Sequence, residues 1–300
     1  MKIIITGSLG NIGKPLTKQL VQSGHQVTVI SSRAERQKDI EELGAKAAIG
    51  SIMDQDFLEE TFNGHDAAYL MEAFGREAFF DQNLDIIEAH KVIARNYKAA
   101  VTKSAISKVV HLSSIGAHTN TGNGILVFHY EAEKILNELP SGVSIKFLRP
   151  VGFFSNLYRS IQNIKSKNAI FQNFGGDKKE PWVSPYDIAT AIAEEMQQPF
   201  EGRTVRYIAS DEVSPNEIAA ALGGAIGNPD LQWIQLTDEE MLNGMLAAGM
   251  NKQTATGFVA MQAAQRSGLL YEDYYKKPPL LATVKLADFA KEFAEIYQKT

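Results

Sequence analysis

The residues Thr6-Gly7-Ser8-Leu9-Gly10-Asn11-Ile12-Gly13 place three glycines at the spacing Gly-x-x-Gly-x-x-Gly, between a β-branched run and a segment of helical period. Glycines in such a turn allow a tight reversal, let backbone amides approach a phosphate, and let the helix pack closely on the strand. The amides and dipole at the helix start then favour an anion. The chemistry indicated is capture of a dinucleotide pyrophosphate by Thr6, Gly7, Gly10, Asn11, Ile12 and Gly13, with a purely structural turn as the alternative. The next apolar run ends in Ser31-Ser32-Arg33, and no Asp or Glu occurs from His25 to Ala34. A carboxylate there would take the ribose hydroxyls of NAD, whereas a hydroxyl and a guanidinium suit a 2′-phosphate. Ser32 and Arg33, assisted by Arg36 and Lys38, predict NADP(H) in preference to NAD(H); a solvated basic helix start is the alternative.

A second group with chemical potential is His129-Tyr130-Glu131-Ala132-Glu133-Lys134, which contains Tyr-x-x-x-Lys. On a helix Tyr130 and Lys134 share a face, one turn apart. An ammonium beside a phenol stabilises the phenolate and lowers its pKa from about 10 toward working pH. The same ammonium can hold a ribose. The six histidines are scattered without an H-x-x-H or H-E-x-x-H pattern, so no metal site is expected. Phe153, Phe154, Phe171, Phe174 and Trp182 can wall an apolar or aromatic substrate pocket, although aromatic residues in such a stretch more often build core.

These residues need elements to position them, and the chain is long enough to supply a core. It has 300 residues, 44% hydrophobic and 22% charged, the composition of a globular chain. With no cysteine, disulfides, thiolate nucleophiles and iron–sulfur clusters are excluded. A formal net charge of −5 argues against a general nucleic-acid surface. No uncharged apolar run approaches the roughly 20 residues of a membrane span. The opening apolar stretch stops at Thr6-Gly7, too soon for a secretory signal, and a cytoplasmic protein is expected.

Strands are expected at Lys2–Thr6, Gln26–Ser31, Ala45–Ile49, Asp66–Met71, Lys108–Leu112 and Val143–Leu148, separated by segments of helical period. This alternation predicts an α/β fold, a Rossmann-like doubly wound parallel sheet. Residues 1–150 form the dinucleotide-binding part, and 182–210 return to it through a helix at Pro185–Gln198 and a strand at Thr204–Ala209. Residues 151–181, without clear period, and 211–300, read as helices only, are expected to form a smaller, mainly helical substrate lobe.

Taken in order, the segments resemble the NmrA-like branch of the atypical short-chain dehydrogenase/reductases over most of the chain. The loop Thr6–Gly13 looks like the family's nucleotide loop. Gly50-Ser51-Ile52-Met53-Asp54 resembles the segment that meets adenine, with Ser51 where the family usually has Asp, and Asp54 suits a helix N-cap. His111-Leu112-Ser113-Ser114 resembles the serine-bearing end of the fifth strand, and Phe147-Leu148-Arg149-Pro150 the family's Leu-Arg-Pro stretch. Trp182–Ala189 and Ser214–Ala219 match later segments. The resemblance implies cofactor contacts at Ser51, Ile52, Ser113, Lys134 and Pro150. It also implies a catalytic trio in which Ser114 polarises a substrate oxygen, Tyr130 carries the proton and Lys134 tunes it. Many family members lack the Tyr, and either bind cofactor without carbonyl chemistry or reduce quinones by direct hydride transfer, with a His at the position of His129.

The function expected is an NADP(H)-dependent oxidoreductase passing hydride to a small carbonyl or quinone-like acceptor. Two alternatives stand beside it. One is a catalytically silent NADP(H) sensor acting through a protein partner; the other is an NAD-retaining sugar-nucleotide epimerase or dehydratase, which Arg33 disfavours.

Overall fold

The computed structural model describes residues 1–300. The chain opens with β1 (Lys2–Ile5), α1 (Gly13–Gln22), β2 (Gln26–Ser31), α2 (Gln37–Glu42), β3 (Lys46–Ile49), α3 (Gln55–Phe62) and β4 (Ala67–Leu70). It continues through α4 (Ile86–Lys103), β5 (Lys108–Leu112), α5 (Val127–Leu136), β6 (Ser144–Pro150) and β7 (Gly152–Phe153). Then come α6 (Ile161–Lys167), β8 (Ala169–Gln172), β9 (Glu180–Val183), α7 (Pro185–Gln197), β10 (Arg203–Ile208) and β11 (Asp211–Val213). The chain ends with α8 (Pro215–Ala225), β12 (Gln232–Gln235), α9 (Asp238–Ala247), α10 (Lys252–Ser267) and α11 (Leu286–Lys299).

Seven parallel strands form the main sheet in the order β10-β6-β5-β4-β1-β2-β3. Side chains alternate across it, so each apolar run serves two cores. Ile3 and Ile5 of β1 face Leu16 and Leu20 of α1 and Ile188 and Ile192 of α7. Ile4 faces the other way, into a core with Phe62 of α3, Ile93 and Tyr97 of α4, and Leu136 of α5. This is the Rossmann-like, doubly wound sheet expected from the sequence. The chain order reverses between β1 and β4, which opens a crevice at their carboxyl ends.

Local chemistry sets the boundaries. Asp54 caps α3 by accepting the Phe57 amide at 3.1 Å, and Asp85 caps α4 by accepting from Ile87 and Glu88. Gly44 ends α2 at φ +82°, a left-handed turn that suits glycine.

The second half departs from the sequence reading in two places. Residues 151–181 hold β7, α6, β8 and the start of β9, and the stretch after residue 211 holds β11 and β12 beside its helices. The missed strands are short and partly polar, such as Gln232-Trp233-Ile234-Gln235, and pair only with one another. Their pairing is set by distant partners, so no local period marks them. Phe154, Phe174 and Trp182 form the apolar core of this region with Ile218, Phe289 and Phe293. The aromatics suggested as pocket walls at these three positions are core.

One carboxylate is buried where the two halves meet. Glu180 of β9, 7% exposed, accepts hydrogen bonds from the Gln265 amide at 2.6 Å and the Tyr271 hydroxyl at 3.4 Å. Burial raises its pKa to about 7 from an ordinary 4.5. The folded protein therefore holds this proton up to about pH 7, whereas the unfolded chain releases it near pH 4.5, so stability falls as pH rises through that window. The group should cost on the order of 2–3 kcal/mol between pH 4.5 and pH 8. Urea unfolding of wild type and Glu180→Gln across this range should show a slope in the first that flattens in the second; parallel profiles would mean that Glu180 ionises freely.

Candidate active site

The turn from β1 into α1 is made by residues in unusual backbone states. Gly7 and Ser8 both lie in the left-handed region, at φ +86° and +54°. Ser8 is held there by its hydroxyl, which donates to Ser31 Oγ at 3.0 Å. A Cβ on Gly13 would run into the Ser8 carbonyl, so this glycine brings the helix against the loop. Gly10 is different: a Cβ there would meet nothing nearer than the Gly7 carbonyl at 3.8 Å. Its bare face looks into open space. Helix α1 begins after Ile12 with no side-chain cap and no acid in its first turn; the Lys14 amide donates to the Gly10 carbonyl and Pro15 has no N–H, so the Ile12 and Gly13 amides are the ones open to an anion.

A groove of about 510 Å³ runs from this loop across the carboxyl ends of β2, β3 and β4. Gly7 and Gly10 form one end; Ser31, Ser32, Arg33 and Arg36 line the end of β2. Ser51 and Ile52 border it after β3, and Met71, Phe74 and Gly75 after β4. Arg36 is held by Asp39 at 3.2 Å, whereas Arg33 forms no ion pair. The Asn96 carboxamide of α4 donates to the Ile52 and Met53 carbonyls at 3.2 and 3.0 Å and fixes the loop after β3. An uncapped helix start, an open face at Gly10 and an elongated groove beyond it fit a dinucleotide.

Of the other residues expected to touch the cofactor, several have structural work. Thr6 is buried, and its Oγ accepts the Met71 amide at 2.8 Å, tying β1 to the segment after β4. Ile12 is buried in the core, Asn11 is exposed, and the Pro150 carbonyl accepts the Ile115 amide at 2.8 Å. None of these lines the groove. Met71 and Asn96 escaped the sequence reading, which quotes Ser8 and Ser31 but gives them no role. A polar Asn on the apolar face of α4 was the available signal.

The chemistry expected on α5 is arranged differently. Ala132, Glu133 and Leu136 are the buried residues of this helix. Glu133 accepts from Ser113 Oγ at 2.5 Å, from Arg149 Nε at 2.8 Å and from Arg149 Nη2 at 2.6 Å. The Ser113 proton is thereby committed, and Ser113 cannot also donate to a ligand. Ser114 is half-buried, with a hydroxyl that makes no internal hydrogen bond. Tyr130 and Lys134 border a separate cavity with His118, Asn137 and Arg149, and no residue of that cavity lines the nucleotide groove. The expected trio of Tyr130, Lys134 and Ser114 is therefore not assembled at the groove. The cause is the rotation of α5, whose inward position is taken by Glu133 in answer to the buried Arg149.

Near the ends of β4 and β5 the structure gathers a different group. His111 Nε2 lies 3.0 and 2.9 Å from the two carboxylate oxygens of Glu72, both residues buried. His90 of α4 stacks on Phe128 at 3.8 Å, and Phe128 meets His129 at 4.4 Å. Burial, with the nearby His90 and His111 rings, holds His129 well below the ordinary imidazole pKa, so it is neutral at pH 7. No set of three His, Asp or Glu is placed to hold a metal ion. No helix is long and apolar enough to cross a membrane.

Comparison with known proteins identifies the family and the fold. Residues 7–199 match the model of the NAD(P)H-binding family. A UDP-N-acetyl-alpha-D-glucosaminuronate decarboxylase of Bacillus cytotoxicus is 31% identical over 117 residues, 38% of this chain and 36% of that protein. Sterol demethylase protein B of Methylococcus capsulatus is 25% identical over 123 residues, 39% of this chain and 35% of that protein. The match thus spans about a third of the length of either curated relative. Among solved structures, a nucleoside-diphosphate-sugar epimerase of Staphylococcus aureus superimposes with a TM-score of 0.77 at 16% identity, covering 97% of this chain and 100% of that one. An NADPH-dependent quinone oxidoreductase of Escherichia coli, complexed with NADPH, gives 0.76 at 19% identity over 97% and 99% of the two chains. Triphenylmethane reductase of Citrobacter, complexed with NADP(H), gives 0.73 at 16% identity, also over 97% and 99%. At these identities the likeness is one of fold.

Gly10 offers a clean test of the groove. Its φ lies outside the left-handed region, so a side chain costs the loop little, while Val at this position fills the open space. Gly10→Val should melt within a few degrees of wild type yet show no dinucleotide binding by calorimetry. Binding of wild-type strength would show that the loop is only a turn.

Proposed function

The chain belongs to the NAD(P)H-binding family, and we propose that it is an NADP(H)-dependent reductase that delivers hydride directly to a small acceptor of quinone or related carbonyl type. The observation that carries the cofactor preference is Arg33, a guanidinium without an ion-pair partner at the groove's rim beside Ser32. A bidentate guanidinium suits a 2′-phosphate, and no carboxylate is among the residues lining the groove. The amides at the start of α1, beside Gly10, would hold the pyrophosphate. Ser51 and Ile52, fixed by Asn96, would border the adenine. When bound, the nicotinamide supplies the hydride.

The acceptor class follows from what the chain's own residues offer. A simple ketone or aldehyde needs a proton as hydride arrives, which a phenol tuned by an ammonium supplies. Here Tyr130 and Lys134 lie away from the groove. A quinone forms a stabilised oxyanion on accepting hydride and can be protonated afterwards. Ser114 and His129 do not line the groove either, but Ser114 lies two residues past β5 and His129 beside His111 of that strand, and their hydroxyl and neutral ring would hydrogen-bond such an oxygen without transferring a full proton. The fold neighbours that reduce quinones and dyes with NADPH support this reading.

Two variants test it. Arg33→Ala should weaken NADPH by about 10- to 100-fold, the roughly 1.5–3 kcal/mol of a hydrogen bond to a charged group, and leave NADH affinity unchanged. A wild type that binds both cofactors equally would remove the preference. Tyr130→Phe should reduce a naphthoquinone with NADPH at a rate within about twofold of wild type. A fall of about 10²–10⁴ would instead install Tyr130 as the proton donor. Tight NADPH binding without turnover of any quinone or aldehyde would leave a sensor.

A further inference from the structure

Tyr130 and Lys134, which the reductase reading does not use, face a cavity of their own. It measures about 310 Å³ and lies beside α5, with His118 from the loop after β5, and with Glu133 and Arg149 among its lining residues. The buried pair within it is self-sufficient. Arg149 gives Nε and Nη2 to Glu133 and Nη1 to the Tyr207 hydroxyl at 3.1 Å, and lies 3.5 Å from Asp273. The other side chains are not. Lys134 forms no ion pair, because Glu138 one turn further on is taken by Lys98 at 2.5 Å. The Tyr130 hydroxyl and the Asn137 carboxamide have no internal partner, and His118 Nδ1 is buried without one. Helical spacing puts Tyr130, Lys134 and Asn137 on one stripe. Three uncommitted hydrogen-bonding groups and the exposed ammonium of Lys134, which has no ion-pair partner, therefore border a cavity in which Arg149 is already answered by Glu133 and Asp273.

The chemistry of a matching ligand is narrow. Lys134 asks for a negative charge, and as a compact ammonium it takes one oxygen at a time. Glu133 and Asp273 stand close behind and repel a second charge. The volume equals that of about ten waters at roughly 30 Å³ each, enough for a small organic acid. We propose that this cavity is a second binding site, distinct from the nucleotide groove, for a small hydroxy-substituted monocarboxylate. Lys134 takes the carboxylate, and Tyr130, Asn137 and His118 take the remaining polar atoms. Because Glu133 lines the site and also accepts the Ser113 hydroxyl, an occupant sits one hydrogen bond from the end of β5.

The test is calorimetric titration of 4-hydroxybenzoate into the full chain saturated with NADP⁺. Saturable one-to-one binding is expected, weakened about tenfold or more in Lys134→Met and several-fold in Tyr130→Phe. Both side chains lie outside the buried core, and thermal melts check folding of each variant. Three results would overturn the proposal: no saturation below about 50 mM, full binding in Lys134→Met, or binding seen without NADP⁺ that disappears when it is added. Inorganic phosphate binding as tightly as the carboxylate, with the same dependence on Lys134, would overturn the assignment of ligand class.

Discussion

A guanidinium buried beneath a helix must find a carboxylate, and this requirement at Arg149 decides the chemistry of the molecule. Arg149 stands at the end of β6, 8% exposed, and Glu133 answers it through two hydrogen bonds. Leaving such a charge unpaired costs about 3–5 kcal/mol, more than any surface contact of α5 can return. With Glu133 fixed inward, the rotation of the helix is fixed for every other residue. Leu136 goes under with it, Phe128 stacks on His90 of α4, and Tyr130, Lys134 and Asn137 emerge on the flank away from α4. One buried ion pair thus separates the Tyr–Lys pair from the groove and leaves the neighbourhood of His129 and Ser114 facing the ends of β4 and β5.

The nucleotide groove is governed by a different kind of contact. Its walls come from the carboxyl ends of β1, β2, β3 and β4. Hydrogen bonds from short side chains hold them in register. Thr6 ties β1 to Met71, Ser8 ties the glycine loop to Ser31, and Asn96 fixes the loop after β3. Such ties leave the backbone close to the space a ligand needs without filling it; a Cβ on Gly7 or Gly13 would clash with Met71 or Ser8, while Gly10 leaves its face open.

The sheet and the glycine loop were legible in the sequence because each is signalled locally. Ile3-Ile4-Ile5 declares a strand buried on both faces, and the loop's spacing is meaningful only between a strand and a helix. The phase of α5 was not legible in the same way. Tyr130/Lys134 and His129/Glu133 both sit four residues apart on one helix, and spacing alone cannot choose which pair turns inward. The deciding residue, Arg149, lies 16 positions beyond Glu133, and its demand appears only when β6 is placed beneath α5. The same distance effect hid β11 and β12, whose pairing partners β9 and β8 lie far back in the chain. Glu72 was not singled out in the sequence, because its pairing with His111 depends on β4 and β5 being neighbours.

The most direct test of the account is a crystal structure with NADP⁺ bound. The pyrophosphate is expected over Gly10 at the start of α1, the 2′-phosphate against Arg33 and Ser32, and the nicotinamide near the ends of β4 and β5, out of contact with Tyr130 and Lys134. A nicotinamide ribose held by Lys134, with the Tyr130 hydroxyl turned to the reacting carbon, would contradict it. The Arg149–Glu133 pair would then no longer set the rotation of α5 in the working protein.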